Sequence, residues 1–287
     1  MIDRPYWELE FEEGRSQGPS SSFDENEAEI WILPANLVQT YDEAVRTSGT
    51  KSELLLKIAI MGLEEVKSLS ECIETDVLKL GDCLLVPWKS ETGKVWLTPW
   101  EVLRRNGHKL TLGCRWILFD AQFDKNDSQV WAKSSLRKRL NSGRFMFQFM
   151  NKMFTSHIQD TEVWTADEKT IDKFWLLSHE EVACEQDRQS WFKANRGGLP
   201  FDKYEHAQSG NQLRALRCKP SIAADDKLSD SAHRWWLRSA YSDYVDNVGD
   251  VGSYGYVSGY RADYSDGCSP ALTIANELCM KTTKWMS

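Results

Sequence analysis

Apolar residues recur at helical spacing in the first quarter of the chain and in short alternating or continuous runs after it. A helix is predicted over Asn36–Arg46, ending near Ser48-Gly49, where glycine can adopt the left-handed cap. A second is predicted from Thr50, whose spacing to Glu53 fits a capping box, through Leu54 to Leu69. Its residues Leu55, Ile58, Ala59, Leu63 and Val66 share one face, and its other apolar positions imply burial on more than one side. Upstream lie a flexible stretch, Gly14–Ser22, and an acidic run, Asp24–Glu29. Residues 1–77 therefore read as a small helical appendage that packs on the main domain or docks another protein.

From Leu78 onward, strand signals take over. Gly81–Val86 and Lys94–Leu97 read as strands around Glu91-Thr92-Gly93, while Glu101–Leu103 and Lys109–Leu112 flank Asn106-Gly107, a strong hairpin dipeptide. Trp116–Phe119 is a further strand. Helices follow at Ser134–Leu140, with Leu136 and Leu140 on one face, and at Phe145–Phe154. Lys173–Ser178 reads as a strand handing off to a helix near His179-Glu180-Glu181. Asp187–Asp230 is polar and yields no element, whereas Trp235–Arg238 and Ala271–Ile274 read as strands. The predicted class is α+β, with short, mostly antiparallel strands and two or three helices over 78–276 and a tail over 277–287.

One segment breaks the composition of the rest. Ser239–Ser269 holds six of the nine tyrosines, with five glycines, five aspartates, six serines, no lysine and one arginine. Tyrosine supplies amphipathic contact area at low entropic cost, and Ser, Gly and Asp adapt their hydrogen bonding, as on antibody paratopes. Glycine and aspartate are ordinary in loops, but tyrosine is not, so the segment is expected to bind. The expected ligand-binding residues are Tyr241, Asp243, Tyr244, Asp246, Asn247, Asp250, Ser253, Tyr254, Tyr256, Ser258, Tyr260, Arg261, Asp263, Tyr264 and Asp266. Val245, Val248, Val251 and Gly249 are expected to be scaffold.

Several blocks together resemble a bacterial and phage family of uncharacterised domains with a C-type-lectin-like architecture. They are Trp131-Ala132-Lys133-Ser134-Ser135-Leu136-Arg137 through Leu140-Asn141, Asp172–Ser178 with Glu180-Glu181-Val182, Trp235-Trp236-Leu237-Arg238-Ser239, Val245-x-x-x-Gly249-x-Val251 and Pro270-Ala271-Leu272. The family usually closes with Gly-Val-Arg-Pro-Ala-Leu, but here Gly267-Cys268-Ser269-Pro270-Ala271-Leu272 lacks the arginine. The resemblance implies a fold whose first and last strands pair beneath a long irregular ligand-binding region. It also implies kinship with the variable proteins of diversity-generating retroelements, in which adenine-directed copying rewrites codons near the C-terminus. Mutated AAC and AAT codons never yield Lys, Glu, Gln, Trp or Met, and none of these five occurs in Ser239–Ser269.

Charge and chemistry narrow the partner. A net charge of −8 disfavours a nucleic-acid backbone, and the one basic patch, Lys133–Arg144, has the spacing of a packed helix with a solvated face. No run of about 18 apolar residues spans a membrane and no leader opens the chain, so a cytoplasmic protein with reduced cysteines is expected, surface or phage-particle display notwithstanding. The seven cysteines contain no C-x-x-C. Within the fold, calcium-dependent sugar binding would need Glu-Pro-Asn or Trp-Asn-Asp, both absent, although Asp243, Asp246, Asn247 and Asp250 supply oxygens. A formylglycine-generating oxidase would need a reactive pair such as Cys268 and Cys279, whose surroundings do not match. His233 stands alone and reads as structural. A protein ligand is expected, with no catalytic residue, metal or cofactor. In the strand Trp235–Arg238, one tryptophan is expected in the core and Arg238 in a structural ion pair or bonded to loop carbonyls.

Overall fold

The computed structural model describes residues 30–47, 67–68, 78–91, 93, 95–106, 109–182, 189–195, 201–202, 215–219 and 227–275. The expected flexible stretch, the acidic run, most of the second helix and the tail lie outside these residues. The fold is mostly antiparallel sheet with few helices. The largest sheet has seven strands in the order β10 (Phe174–Trp175), β17 (Ala271–Ala275), β5 (Lys109–Cys114), β4 (Val95–Asn106), β3 (Cys83–Lys89), β1 (Trp31–Leu33) and β2 (Lys67–Ser68). Five strands form a second sheet, ordered β15 (Val257–Arg261), β14 (Asn247–Val251), β13 (Trp235–Ala240), β16 (Ser265–Cys268) and β7 (Phe119–Gln122). Smaller units are β12 (Lys227–His233) with β11 (Ala215–Lys219) and β6 (Trp116–Ile117), and the hairpin of β8 (Thr161–Thr165) with β9 (Glu168–Asp172). No helix among the described residues is long and apolar enough to cross a membrane.

The two main sheets share a seam. β5 pairs with β17 and β7 pairs with β16, both antiparallel, so residues 109–122 run alongside residues 265–275 from one sheet into the next. Where they cross, Cys114 N donates to Pro270 O (2.8 Å), Ser269 Oγ to Cys114 O (2.6 Å) and Leu118 N to Cys268 O (2.9 Å). These bonds keep the backbone satisfied at the corner, where ladder pairing is interrupted.

The strands expected at 94–97 and 101–103 are one strand, β4, twelve residues long. The strand runs through Pro99, which has no N–H to donate and whose carbonyl accepts from Arg115 N at 3.0 Å. The helix expected over Phe145–Phe154 is two short helices, Gly143–Met146 and Lys152–His157. Between them Lys89 N donates to Gln148 O and Met150 N to Pro87 O, so pairing with β3 replaces the helical bonds. Ser134 caps the helix Ser135–Leu140 by accepting from Arg137 N, and Leu136 and Leu140 are buried as their spacing implies. Of the basic patch, Arg137 pairs with Asp172 and Arg139 with Glu91.

Residues 30–47 are not a separate appendage. The helix Val38–Thr47, close to its expected limits, stacks Tyr41 on Trp116 at 5.7 Å and places Asp42 against Trp116 Nε1 (2.8 Å) and Arg115 (3.2 Å). β1 extends the seven-stranded sheet beside β3, and Lys67–Ser68, the expected end of the second helix, is strand β2. The expected boundary at residue 77 therefore does not divide the described core. The core is aromatic, with Trp88, Trp100, Trp116, Trp131 and Trp236 fully buried and Phe145, Phe149 and Phe174 packed edge-on or stacked within 5.6 Å of one another. Trp96 and Trp175 are buried too, as expected.

Candidate functional site

Most of the tyrosine-rich segment is sheet rather than irregular loop. It supplies the end of β13 and all of β14, β15 and β16, joined by turns at 241–246, 252–256 and 262–264. Val248 and Val251 are buried scaffold as expected, but Val245, at the outer bend of the first turn, is 80% exposed. The β14–β15 turn closes through Gly252 N to Tyr256 O and Gly255 N to Gly252 O, with Gly255 at φ +83°, a conformation L-residues rarely take. Ser253, Tyr254 and Tyr256 sit in this turn, and Ser258 lies opposite Asp250 on β15.

Alternation along β14 and β15 gives the sheet two faces, with Tyr260 of β15 on one and the paired glycines Gly249 and Gly259 on the other. Gly249 and Gly259 are directly paired, and the missing side chains make room for rings. A Cβ on Gly259 would stand 2.4 Å from the Tyr241 ring, and one on Gly249 would stand 3.1 Å from Phe192. Tyr241 thus lies on this face, edge-on to Phe192 at 5.3 Å and 5.8 Å from the Tyr244 ring. Burial, Asp243 and Tyr244 together push the Tyr241 hydroxyl pKa up. The turn is fixed by Ser242 N to Trp191 O (2.8 Å) and Tyr241 N to Asn247 O (3.1 Å).

The opposite face carries Tyr260, which packs on Trp236 (6.4 Å) and Tyr264 (5.1 Å). Arg234 lies 4.0 Å above the Tyr260 ring, held by Asp250 Oδ2 at 2.6 Å and Asp266 Oδ2 at 3.3 Å. Asp250 and Asp266 were expected at the ligand surface, but both are buried beneath it. Burial pushes the Asp250 carboxyl up to about 7 and Asp266 up to about 6, with Arg234 opposing both shifts. At the strand end, Arg261 bonds Asp263 (3.1 Å) and Asp127 (2.9 Å) and approaches Asp246 (3.8 Å), which holds the Asp263 carboxyl below its usual range. Asn247 pairs with Arg261 across the strands. The expected residues are therefore brought together as two groups, with Tyr254 and Tyr256 at the far hairpin end.

Sequence reasoning missed Arg234, Asp127, Trp191 and Phe192. Each stands outside the segment, and nothing in its local sequence marks its role. Behind β13 lies a third polar group. Arg238, buried, donates to both Glu181 oxygens (2.5 and 2.8 Å) and to the carbonyls of Leu176 and Trp164, the structural ion pair expected of it. Trp235 and Trp236 are both buried, not one of them. His179 Nδ1 lies 3.1 Å from Ser239 Oγ and 3.1 Å from Glu180 Oε2, and burial lowers its pKa. A Ser-His-acid relay needs hydroxyl and carboxylate on opposite ring nitrogens, whereas here both lie at Nδ1, and the contacts tie the turn at 179–182 to Ser239 of β13. The helix expected from His179 is a turn as far as Val182. Cys268 is fully buried and its thiol is pushed up by desolvation, unlike the exposed thiolate a reactive cysteine requires, and Cys279 lies outside the described residues. No group of three or more His, Cys, Asp or Glu side chains suited to a metal occurs among the described residues.

No curated protein and no solved structure shows significant similarity to the chain. A family model described as a domain of unknown function, DUF6273, matches residues 108–276, from the start of β5 to the end of β17 and more than half of the sequence. The chain therefore belongs to the DUF6273 family.

Proposed function

We propose that the protein is a non-enzymatic recognition module with a C-type-lectin-like fold, whose Tyr/Asp/Ser/Gly-rich segment binds a protein ligand. One observation carries this reading. Of the ten large apolar side chains exposed among the described residues, five lie between positions 244 and 264: Tyr244, Val245, Tyr254, Tyr256 and Tyr264. Exposed aromatic side chains concentrated in one short segment are characteristic of contact surfaces, where aromatic anchors contribute most of the affinity. The scaffold beneath them is ordered by buried Val248, Val251, Trp236 and Arg238, so the exposed positions can change without loss of the fold. That division suits the variable protein of a diversity-generating retroelement. The pairing of β5 with β17, the first and last strands of residues 108–276, supports the lectin-like reading.

The test is site-specific photocrosslinking in the native host. A benzophenone side chain at Tyr244, Tyr254, Tyr256 or Tyr264 is expected to give a discrete protein adduct that the same group at Phe147 or Ile171, exposed elsewhere, does not. Adducts at neither set, or at both alike, would overturn the reading. For diversification, the decisive observation is a near-copy of the nucleotides encoding Ser239–Ser269 that differs only at adenines and lies beside a reverse-transcriptase gene.

A further inference from the structure

The segment repeats one arrangement, a tyrosine ring, a guanidinium and a carboxylate. On one face, Arg234 covers Tyr260 at 4.0 Å and is held by Asp250 and Asp266. At the strand end, Arg261 lies 5.7 Å from the Tyr264 ring and is held by Asp263 and Asp127. On the other face, Tyr241 and Tyr244 present two rings 5.8 Å apart at an angle of 53°, with the exposed Asp243 between them in the chain. Among the described residues, no arginine or lysine covers either ring and no cation pairs with Asp243.

We infer that Tyr241, Tyr244 and Asp243 form a slot for an arginine side chain of a basic segment in the partner protein, the guanidinium lying on the rings and pairing with the carboxylate. This rests on the recognition reading above and names the chemistry of the partner. A cation within about 6 Å of a tyrosine face is attracted by the ring quadrupole, and a planar, weakly hydrated guanidinium stacks better than an ammonium. The slot is pre-formed. Tyr241 is seated on Gly259 and Phe192, and bonds from Tyr241 N and Ser242 N fix the turn. Val245 beside it is 80% exposed, so a bound chain segment would cover apolar surface next to the ion pair, which a free cation would not. Arg234 holds Asp250 and Asp266, and Arg261 holds Asp263 and approaches Asp246. That leaves Asp243 as the exposed carboxylate of the segment without a cation among the described residues, which favours a basic partner.

The full chain would be titrated with a fluorescent heptapeptide of alternating glycine and arginine, and with its lysine and glutamine counterparts, by anisotropy at low and high salt. Saturable binding of the arginine peptide is expected, weaker for lysine, weakest for glutamine, and reduced by salt. Asp243→Asn should weaken it about threefold and Tyr244→Ala about fivefold, while Phe147→Ala leaves it unchanged. Asp243→Asn keeps both rings in place, so its effect is separable from any change in folding. The inference is overturned if the glutamine peptide binds as well as the arginine peptide, or if both slot variants bind like the wild type. Crosslinks at Tyr244 together with no arginine preference would overturn the slot alone and leave protein recognition standing.

Discussion

In the seven-stranded sheet, Leu84, Val86, Trp88, Trp100 and Val102 on one face and Cys83, Leu85 and Leu103 on the other are buried apolar side chains of β3 and β4. The central strand of the five-stranded sheet buries Arg238 and Ser239 beside Trp235, Trp236 and Leu237, and its neighbour β14 buries Asp250 next to two valines. The first sheet also buries Thr98 and Glu101, the latter paired with Arg115, but it is held chiefly by non-directional apolar burial, which tolerates small shifts. The second depends on buried polar groups whose partners must be in place, because a half-satisfied buried network costs more than an apolar one. The tyrosine-bearing surface is thus carried by the sheet with the more polar interior.

Substitutions in the two sheets would separate these modes. Trp100→Ala, which empties the space beside Phe149 and Phe174, should cost about 3–5 kcal/mol in urea unfolding and do so equally at all pH values. Glu181→Ala strands the buried Arg238 guanidinium and should cost about 3 kcal/mol, with the loss concentrated in hydrogen-exchange protection of β13. Gly259→Ala forces the Tyr241 ring off the sheet and should cost about 1–3 kcal/mol, with a change in Tyr241 ring shifts by NMR. If this variant were neutral, the ring would not be seated on the glycine.

The pH response sharpens the comparison further. Asp250 and Asp266 titrate at about 7 and about 6 in the folded chain, against about 3.9 when unfolded. The folded state therefore holds more protons across that interval, and these groups contribute stability below about pH 4 that is lost as pH rises towards 7. Asp250→Asn should flatten the fall in melting temperature between pH 5 and 8 relative to wild type, a difference that is read on roughly a pH-unit scale. An unchanged slope would mean that Asp250 is ionised throughout. The smallest effect on stability is expected from replacing Tyr244, Tyr254, Tyr256 and Tyr264 together by alanine. Each should shift unfolding by under about 0.5 kcal/mol while partner binding is lost.

The two sheets also differ in how much of each is legible in the chain. The β3–β4 hairpin is announced by Glu91-Thr92-Gly93, and Ser134, Leu136 and Leu140 mark their helix because cap and apolar spacing lie within a few residues. The β8–β9 hairpin is silent, since its two-residue loop is Ala166-Asp167, with Ala166 at φ +49° rather than the asparagine or glycine such turns favour. The break at 147–151 is equally silent, because it arises from pairing with β3, some 60 residues earlier. For the candidate site, composition located the segment but not its division into faces. That division depends on register between β14 and β15 and on partners far away in sequence. Arg261 finds Asp127, and Trp236 Nε1 donates to Ala121 O, across more than 100 residues. Asp250 and Asp263 look alike in the sequence. One is entombed in β14 and the other lies partly exposed in the turn 262–264, a difference set by the fold and not by their neighbours in the chain.

The pairing of Lys109 with Ala275 brings together the two ends of the region matched by the family model. The ends are adjacent but not free, because β5 pairs with β17 on one side and with β4 on the other. One strand is therefore clasped both by the close of the matched region and by the strands that precede it. Cutting the chain before β5 would leave one whole edge of that strand without its ladder, so the strands ahead of the matched region complete its sheet.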